Sequence, residues 1–333
     1  MKRDIKFDNI RFVAMLAIVL CHFFQVKGLG TLSQWLSVGV QVFFVLSAKL
    51  LSNKDFSKKA DVVKFLKTRV TRIYIPVWIY LACLLPVLVV IGKAPTISGA
   101  ILYILGLAGF SKSVVLGLGH FWYISVLIIC YLLVPVMYKI AVFCERKSKI
   151  QSFLLQMIIP VSVILVFLFT DYKYYGVNIA LFCGMYFFFY KNRNNSEWYK
   201  GKLKFLLPIT ILLVVIRLIC DTEEMMSNPY YKEIFVTIVK CVVGLFLFFV
   251  LYNLLPDSQK EKNTLVTFGS KISYEIYISH QFIVLALYEF IPFFRKGFLG
   301  GVAMLVVYFI ATTLNAVVLY YIKGFIEKKV FKR

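Results

Sequence analysis

The chain has 333 residues, 61% of them hydrophobic, and its mean hydropathy is +0.82. A soluble domain of this size has no interior large enough for so much apolar surface, so the composition excludes a soluble globular protein. A net charge of +22 raises nucleic acid as a partner. Lys and Arg gathered in alternate loops of a membrane protein would explain the same charge, and their distribution decides between the two.

Apolar runs of about 20 residues recur along the sequence and predict an all-α, polytopic membrane bundle of about ten spanning helices. The expected spans are 10–26, 33–51, 73–92, 119–143, 151–169, 174–190, 204–220, 234–254, 272–292 and 298–322. The stretch 97–110, with Gly99, Gly106 and Gly109, is too short and glycine-rich to cross and is expected to be interfacial or re-entrant. No internal repeat and no low-complexity linker interrupts this pattern, so residues 1–333 read as a single transmembrane domain without an appended soluble one. Asp4 and Asp8 break the basic start, and no small-residue cleavage site follows the first apolar run, which argues against a cleavable signal.

The loops alternate in charge. One side carries Lys2, Arg3 and Lys6, then Lys54, Lys58, Lys59, Lys64, Lys67, Arg69 and Arg72, then Arg146, Lys147 and Lys149. It continues with Lys191, Arg193, Lys200, Lys202 and Lys204, then Lys260, Lys262 and Lys271, and ends with Lys323, Lys328, Lys329, Lys332 and Arg333. The other side has Lys27, Lys93, Lys112, Lys173, Arg217, Lys232, Arg295 and Lys296, together with Asp221, Glu223, Glu224 and Glu233. This asymmetry predicts both termini in the cytosol and accounts for the +22 without nucleic acid. Seven cysteines are scattered, mostly in apolar runs as at Cys21, Cys83, Cys130, Cys183 and Cys241. With no CxxC pair, neither a disulfide framework nor a metal site is expected.

In the first span, eleven residues separate Arg11 from His22. In a helix that is about three turns, so both face one way, about 16 Å apart along the axis. A histidine deep in a span is costly and faces a protein or water-filled interior, as a functional group or as a hydrogen bond between helices. In the second span, Gly39-Val40-Gln41-Val42-Phe43-Phe44-Val45-Leu46-Ser47-Ala48-Lys49 places polar Gln41 and Ser47 among apolar residues, which also suits helix packing. Arg69 and Arg72 share a helix face at i,i+3. Two guanidinium forks side by side suit a diphosphate, while juxtamembrane basic residues also set topology and touch anionic lipid. His120-Phe121-Trp122-Tyr123 opens the fourth span, as an interfacial aromatic belt or a sugar-binding mouth. Ser273-Tyr274-Glu275-Ile276-Tyr277-Ile278-Ser279-His280 enters the ninth span, with His280 about 14 Å along it. His22, His120 and His280 are the only three histidines, and one cavity through the bundle would take all of them.

Taken in order, Arg11-x10-His22, the stretch Gly39–Ser47, Arg69-x2-Arg72, His120-Phe-Trp-Tyr and Ser273-Tyr-x2-Tyr277-x2-His280 resemble the acyltransferase 3 family of bacterial membrane acyltransferases, over nearly the whole chain. The family commonly has Ser-Gly where this chain has Ser47-Ala48, followed by Lys49, a departure that bears on acyl-chain or acceptor preference. The resemblance implies transfer of an acyl group, usually acetyl, from cytosolic acyl-CoA to a hydroxyl of an extracytoplasmic or lipid-linked carbohydrate, in the bacterial plasma membrane. It implies that Arg69 and Arg72 hold the phosphates of the donor, acetyl-CoA in the usual case. It further implies that His22 acts as general base on the acceptor or as an acyl-histidine relay, and that Arg11 orients the donor or stabilises the oxyanion. His120, Trp122, Tyr123, Tyr277 and His280 would line the carbohydrate site. The partners implied are acyl-CoA, the surface polysaccharide or lipid-linked glycan and membrane lipid, with no metal and no nucleic acid. A transporter or glycan flippase also has polar groups inside a helical bundle, but the sequence shows no inverted repeat and no matched pair of broken helices. A catalytically inactive relative with a scaffolding role is the third reading. Ala48 favours it, and Arg11, His22, Arg69 and Arg72 oppose it.

Overall fold

The computed structural model describes residues 5–111, 114–195, 197–255 and 264–331. Lys2, Arg3, Lys112, Lys260, Lys262, Lys332 and Arg333, counted above among the loop charges, lie outside the described residues. The protein is 84% helical, with no strand among the described residues. The helices are α1 (Ile5–Val26), α2 (Gly30–Leu36), α3 (Gly39–Ser52), α4 (Lys59–Val90), α5 (Ile97–Ile104), α6 (Trp122–Cys144), α7 (Lys149–Leu168), α8 (Lys173–Lys191), α9 (Lys202–Cys220), α10 (Glu223–Ser227), α11 (Val236–Leu254), α12 (Thr264–Lys271), α13 (Ser273–Phe290) and α14 (Gly297–Phe331).

Eight of the expected spans are helices long and apolar enough to cross a membrane. The second of these runs Gly30–Ser52 and is interrupted at Ser37 and Val38, between α2 and α3. The expected spans 174–190 and 272–292 fall on α8 and α13, which are helices of 19 and 18 residues but more polar than the other eight. Burial explains their polarity. Twelve residues of α8 and eight of α13 are buried within the protein, where Asn178, Glu275 and His280 meet protein groups instead of lipid.

Two helices run beyond their expected bounds. The span expected from residue 73 belongs to α4, which begins at Lys59, and α14 continues to Phe331. Hydropathy marks where a helix leaves hydrocarbon, not where it ends. In 59–72 the buried Phe65 and Thr71 alternate with exposed Lys64, Lys67 and Arg72 at helical spacing. Arg69 and Arg72 therefore lie inside one continuous helix.

The chain divides into two compact units. The first comprises Met1–Ala14, Val38–Leu66 and Ile129–Glu261, and the second Met15–Ser37, Lys67–Ile128 and Lys262–Arg333. In the first unit α8 packs against α7 and α3, and α11 against α9 and α3. Asn178 on α8 ties this packing. Its Oδ1 accepts from Gln41 Nε2 at 3.0 Å, and its Nδ2 donates to the Tyr174 carbonyl at 2.7 Å. Lys49 is buried with Nζ 4.8 Å from the Trp198 ring and 5.3 Å from Phe189, so the cation is received by aromatic faces.

In the second unit α13 packs along α14. Glu275, fully buried, receives Lys323 Nζ of α14 at 2.8 Å, and the Tyr308 hydroxyl of α14 donates to the Val19 carbonyl of α1 at 3.2 Å. The short glycine-rich segment forms α5 and then a single 3-10 turn, Ala108–Phe110. Its exposed backbone acceptors are met by side chains. Trp78 Nε1 donates to the Ile104 carbonyl at 2.8 Å, the Tyr74 hydroxyl to Leu105 at 2.8 Å and Ser125 Oγ to Gly106 at 2.9 Å. Helix ends away from water require such partners.

The approach of α11 to α3 depends on Gly244, where a Cβ would lie 2.5 Å from Gln41 Cβ. Gly244→Ala should therefore force the two helices apart and lower stability by about 1–3 kcal/mol. Thermal unfolding in detergent would register this as a lower midpoint, and an unchanged midpoint would show that the helices have room to part.

Candidate active site

The three histidines of the chain meet in the second unit. The ring centroids of His22 and His280 are 5.0 Å apart, those of His120 and His280 4.7 Å, and those of His22 and His120 6.0 Å. Three separate elements deliver them. His22 lies in the last turn of α1, shallower than a histidine deep in the span. His120 lies in the 3-10 turn Gly119–Phe121 that opens α6, and His280 lies midway along α13. His120 is 4% exposed and His280 0%, whereas His22 is half-buried and is the ring of the three that remains open to a ligand.

Hydrogen bonds fix which nitrogen of each buried ring carries the proton. His280 Nδ1 lies 2.7 Å from the Tyr277 carbonyl and 3.2 Å from the Ile276 carbonyl. Carbonyls only accept, so Nδ1 is protonated and Nε2 holds the lone pair. At His120 the backbone N–H, which only donates, lies 3.0 Å from an amide atom of Gln281. That atom is therefore Oε1, and it also lies 2.6 Å from His120 Nδ1, which must then carry the ring proton. The Nε2 atoms of His120 and His280 are buried, and neither has a hydrogen-bond partner among the described residues. His22 Nδ1 lies 2.9 Å from Gln25 Oε1 and 3.3 Å from Gln281 Nε2. Donation to the nearer oxygen leaves the lone pair of His22 on Nε2.

The aromatic residues expected at the site separate into two positions. The Tyr277 hydroxyl donates to the His120 carbonyl, and its ring stands edge-on to His120 at 4.8 Å. Tyr123 packs against Tyr277 at 5.3 Å. Trp122, half-buried, meets Tyr123 edge-on at 6.4 Å, one residue further from the histidines.

Arg69 and Arg72 belong to the same unit, with Arg69 half-buried and Arg72 exposed. The carbonyl of Ile73, next to Arg72, accepts from the Tyr274 hydroxyl at 3.2 Å. Tyr274 precedes His280 by six residues on α13, about 9 Å along the axis. The arginine pair and the histidines thus lie at two levels of one helix packing. Arg11 lies in the first unit, 29% exposed and paired with Asp8 at 3.1 Å.

Sequence reasoning passed over Gln25 and Gln281. Both carried a signal. A glutamine three residues after His22 shares its helix face, and an amide beside His280 in a buried helix requires partners. The 114–119 segment reaches α13 at Gly117, where φ is +73° and a Cβ would lie 2.6 Å from Phe282 Cα. This approach seats His120 against Gln281.

A family model described as an acyltransferase domain matches residues 4–321, nearly the whole chain and both units. No curated protein and no solved structure matches the chain.

Gly117→Ala meets both a left-handed backbone and backbone atoms that cannot yield. It should cost more than about 1 kcal/mol and displace His120 from Gln281. The check is a lower thermal midpoint together with altered ring signals of His120 in nitrogen-15 spectra. A variant with the parental midpoint and signals would show that the segment adapts.

Proposed function

The chain belongs to the acyltransferase 3 family, and from that premise we propose that it transfers an acyl group, acetyl in the usual case, from cytosolic acyl-CoA to a hydroxyl of an extracytoplasmic or lipid-linked carbohydrate. The protein is a membrane acyltransferase with several apolar spans. The bacterial plasma membrane, with both termini cytosolic, is the setting this reading assigns. The observation that carries it is the convergence of the only three histidines in the chain on one site, where His22 alone is half-buried and the other two rings are buried.

His22 is the general base of this reading. Gln25 Oε1 accepts from its Nδ1, which turns the Nε2 lone pair to the acceptor hydroxyl. Nε2 takes the hydroxyl proton as the oxygen bonds to the acyl carbon. The acyl carbon–sulfur bond breaks, and the same Nε2 returns the proton to the departing sulfur. Positioned proton transfer of this kind contributes about 10²–10⁴-fold. The donor supplies an activated thioester and a set of phosphates. Arg69 and Arg72 would hold the phosphates, since two forks one helical turn apart on the rim of α4 match a diphosphate bidentately. Tyr123 and Trp122 would present aromatic faces to the sugar, and Arg11 would act from the start of α1.

Two substitution series test the reading. His22→Ala should leave a folded, membrane-inserted protein whose transfer to envelope glycan falls by at least about 10². His22→Asn should behave the same, because an amide keeps part of the hydrogen bonding but has no comparable basicity. Near-normal glycan acylation by His22→Asn at normal expression would make the ring structural.

Arg69→Ala and Arg72→Ala should each weaken acyl-CoA binding by about 1.5–3 kcal/mol, the contribution of a charged hydrogen bond. Lys at either position should restore only part, because a point charge does not replace the fork. Unchanged affinity in the double Ala variant would return the pair to topology alone.

A further inference from the structure

Nε2 of His120 is a buried acceptor that the general-base reading leaves unused. An acceptor sealed from water without a donor is destabilising, and a ligand that brings an O–H or N–H removes that cost. What makes Nε2 the acceptor, and not Nδ1, is Gln281. Its Oε1 receives both the backbone N–H and the Nδ1–H of His120, at 3.0 and 2.6 Å. Its Nε2 lies 3.3 Å from Nδ1 of His22. One planar amide therefore touches two of the three histidines through its two ends.

We propose that Gln281 is a positioning residue of the transfer site, which holds the ring proton of His120 on Nδ1 so that its buried Nε2 receives a hydroxyl of the acceptor while His22 works on the hydroxyl that reacts. The proposal rests on the acyl-transfer reading and adds to it a requirement on the substrate: the acceptor carries a second hydroxyl beside the reacting one, as sugars do. Gln281 acts through His120, because its Oε1 is taken up by the two N–H groups of that residue. Nε2 of His280, on the ring 4.7 Å from that of His120, is likewise a buried lone pair.

Three histidines in the whole chain make the ring protons directly readable. Protein labelled with nitrogen-15 histidine, in detergent or nanodiscs, gives three ring spin systems, assigned by replacing each histidine in turn. In the parent chain His120 should show the neutral pattern with Nδ1 protonated. Gln281→Leu, which removes the acceptor, should convert it to an average of both tautomers. Gln281→Glu, which keeps an oxygen against the two N–H groups, should retain the parental His120 pattern and change that of His22, since a carboxylate oxygen then faces its Nδ1–H. An Nε2-protonated His120 in the parent, or identical His120 signals in Gln281→Leu and the parent, would overturn the proposal. Transfer to envelope glycan should fall at least about tenfold in Gln281→Leu, with acyl-CoA affinity unchanged. Parental glycan transfer by Gln281→Leu would also overturn it. A parent chain that moves no acyl group defeats the acyl-transfer reading, while the ring signals still decide whether Gln281 sets the proton on His120.

Discussion

Within hydrocarbon a polar group has only other protein groups to bond, and the second unit is built around that constraint. His120 and His280 are almost sealed, and each finds its Nδ1 partner close by, in an amide on the next helix or in a carbonyl of its own helix. Glu275, in the first turn of α13, draws Lys323 of α14. Tyr74, Trp78 and Ser125 answer the carbonyls of a segment that forms too little helix to satisfy itself. Each bond that removes an unmet polar group also fixes a direction, so satisfying the interior and orienting the histidines are one process.

Much of the fold was legible in the sequence because hydrophobic runs report membrane-spanning helices directly. Six of the eight apolar spans fall within about five residues of the expected bounds, and the piece expected to be interfacial or re-entrant is a short helix followed by a turn. Helix ends were less legible, since α4 and α14 continue on amphipathic patterns where hydropathy no longer speaks. The division into two units left no mark in composition, because three of its boundaries fall inside α1, α4 and α6. Within the site, rarity made the histidines visible. Glutamines are ordinary residues, and Gln281 gains its place only from the fold that lays Gly117 and His120 against α13.

The second unit carries its candidate groups at two levels. Arg69 and Arg72 directly precede Ile73 on α4, whose carbonyl accepts from Tyr274 of α13. His280 stands two turns further along the same helix. A single helix thus spans both stations, and movement of α13 would be felt at each. Lys323 and Tyr308 of α14 hold bonds near the two levels, to Glu275 and to Val19, which limits such movement.

The clamping of the short segment after α5 also bears on how such a protein can diverge. Three successive carbonyls, from Ile104 to Gly106, are each gripped by a different side chain, and eleven residues later Gly117 lies against the backbone of Phe282. An insertion or deletion between these points would break one grip or the other. Length variation, the easy route by which loops acquire new substrates, is closed along this wall of the site. A lineage that turned to a different acyl acceptor would have to do so by exchanging side chains one at a time, and its surviving descendants would share the spacing even where they share little else.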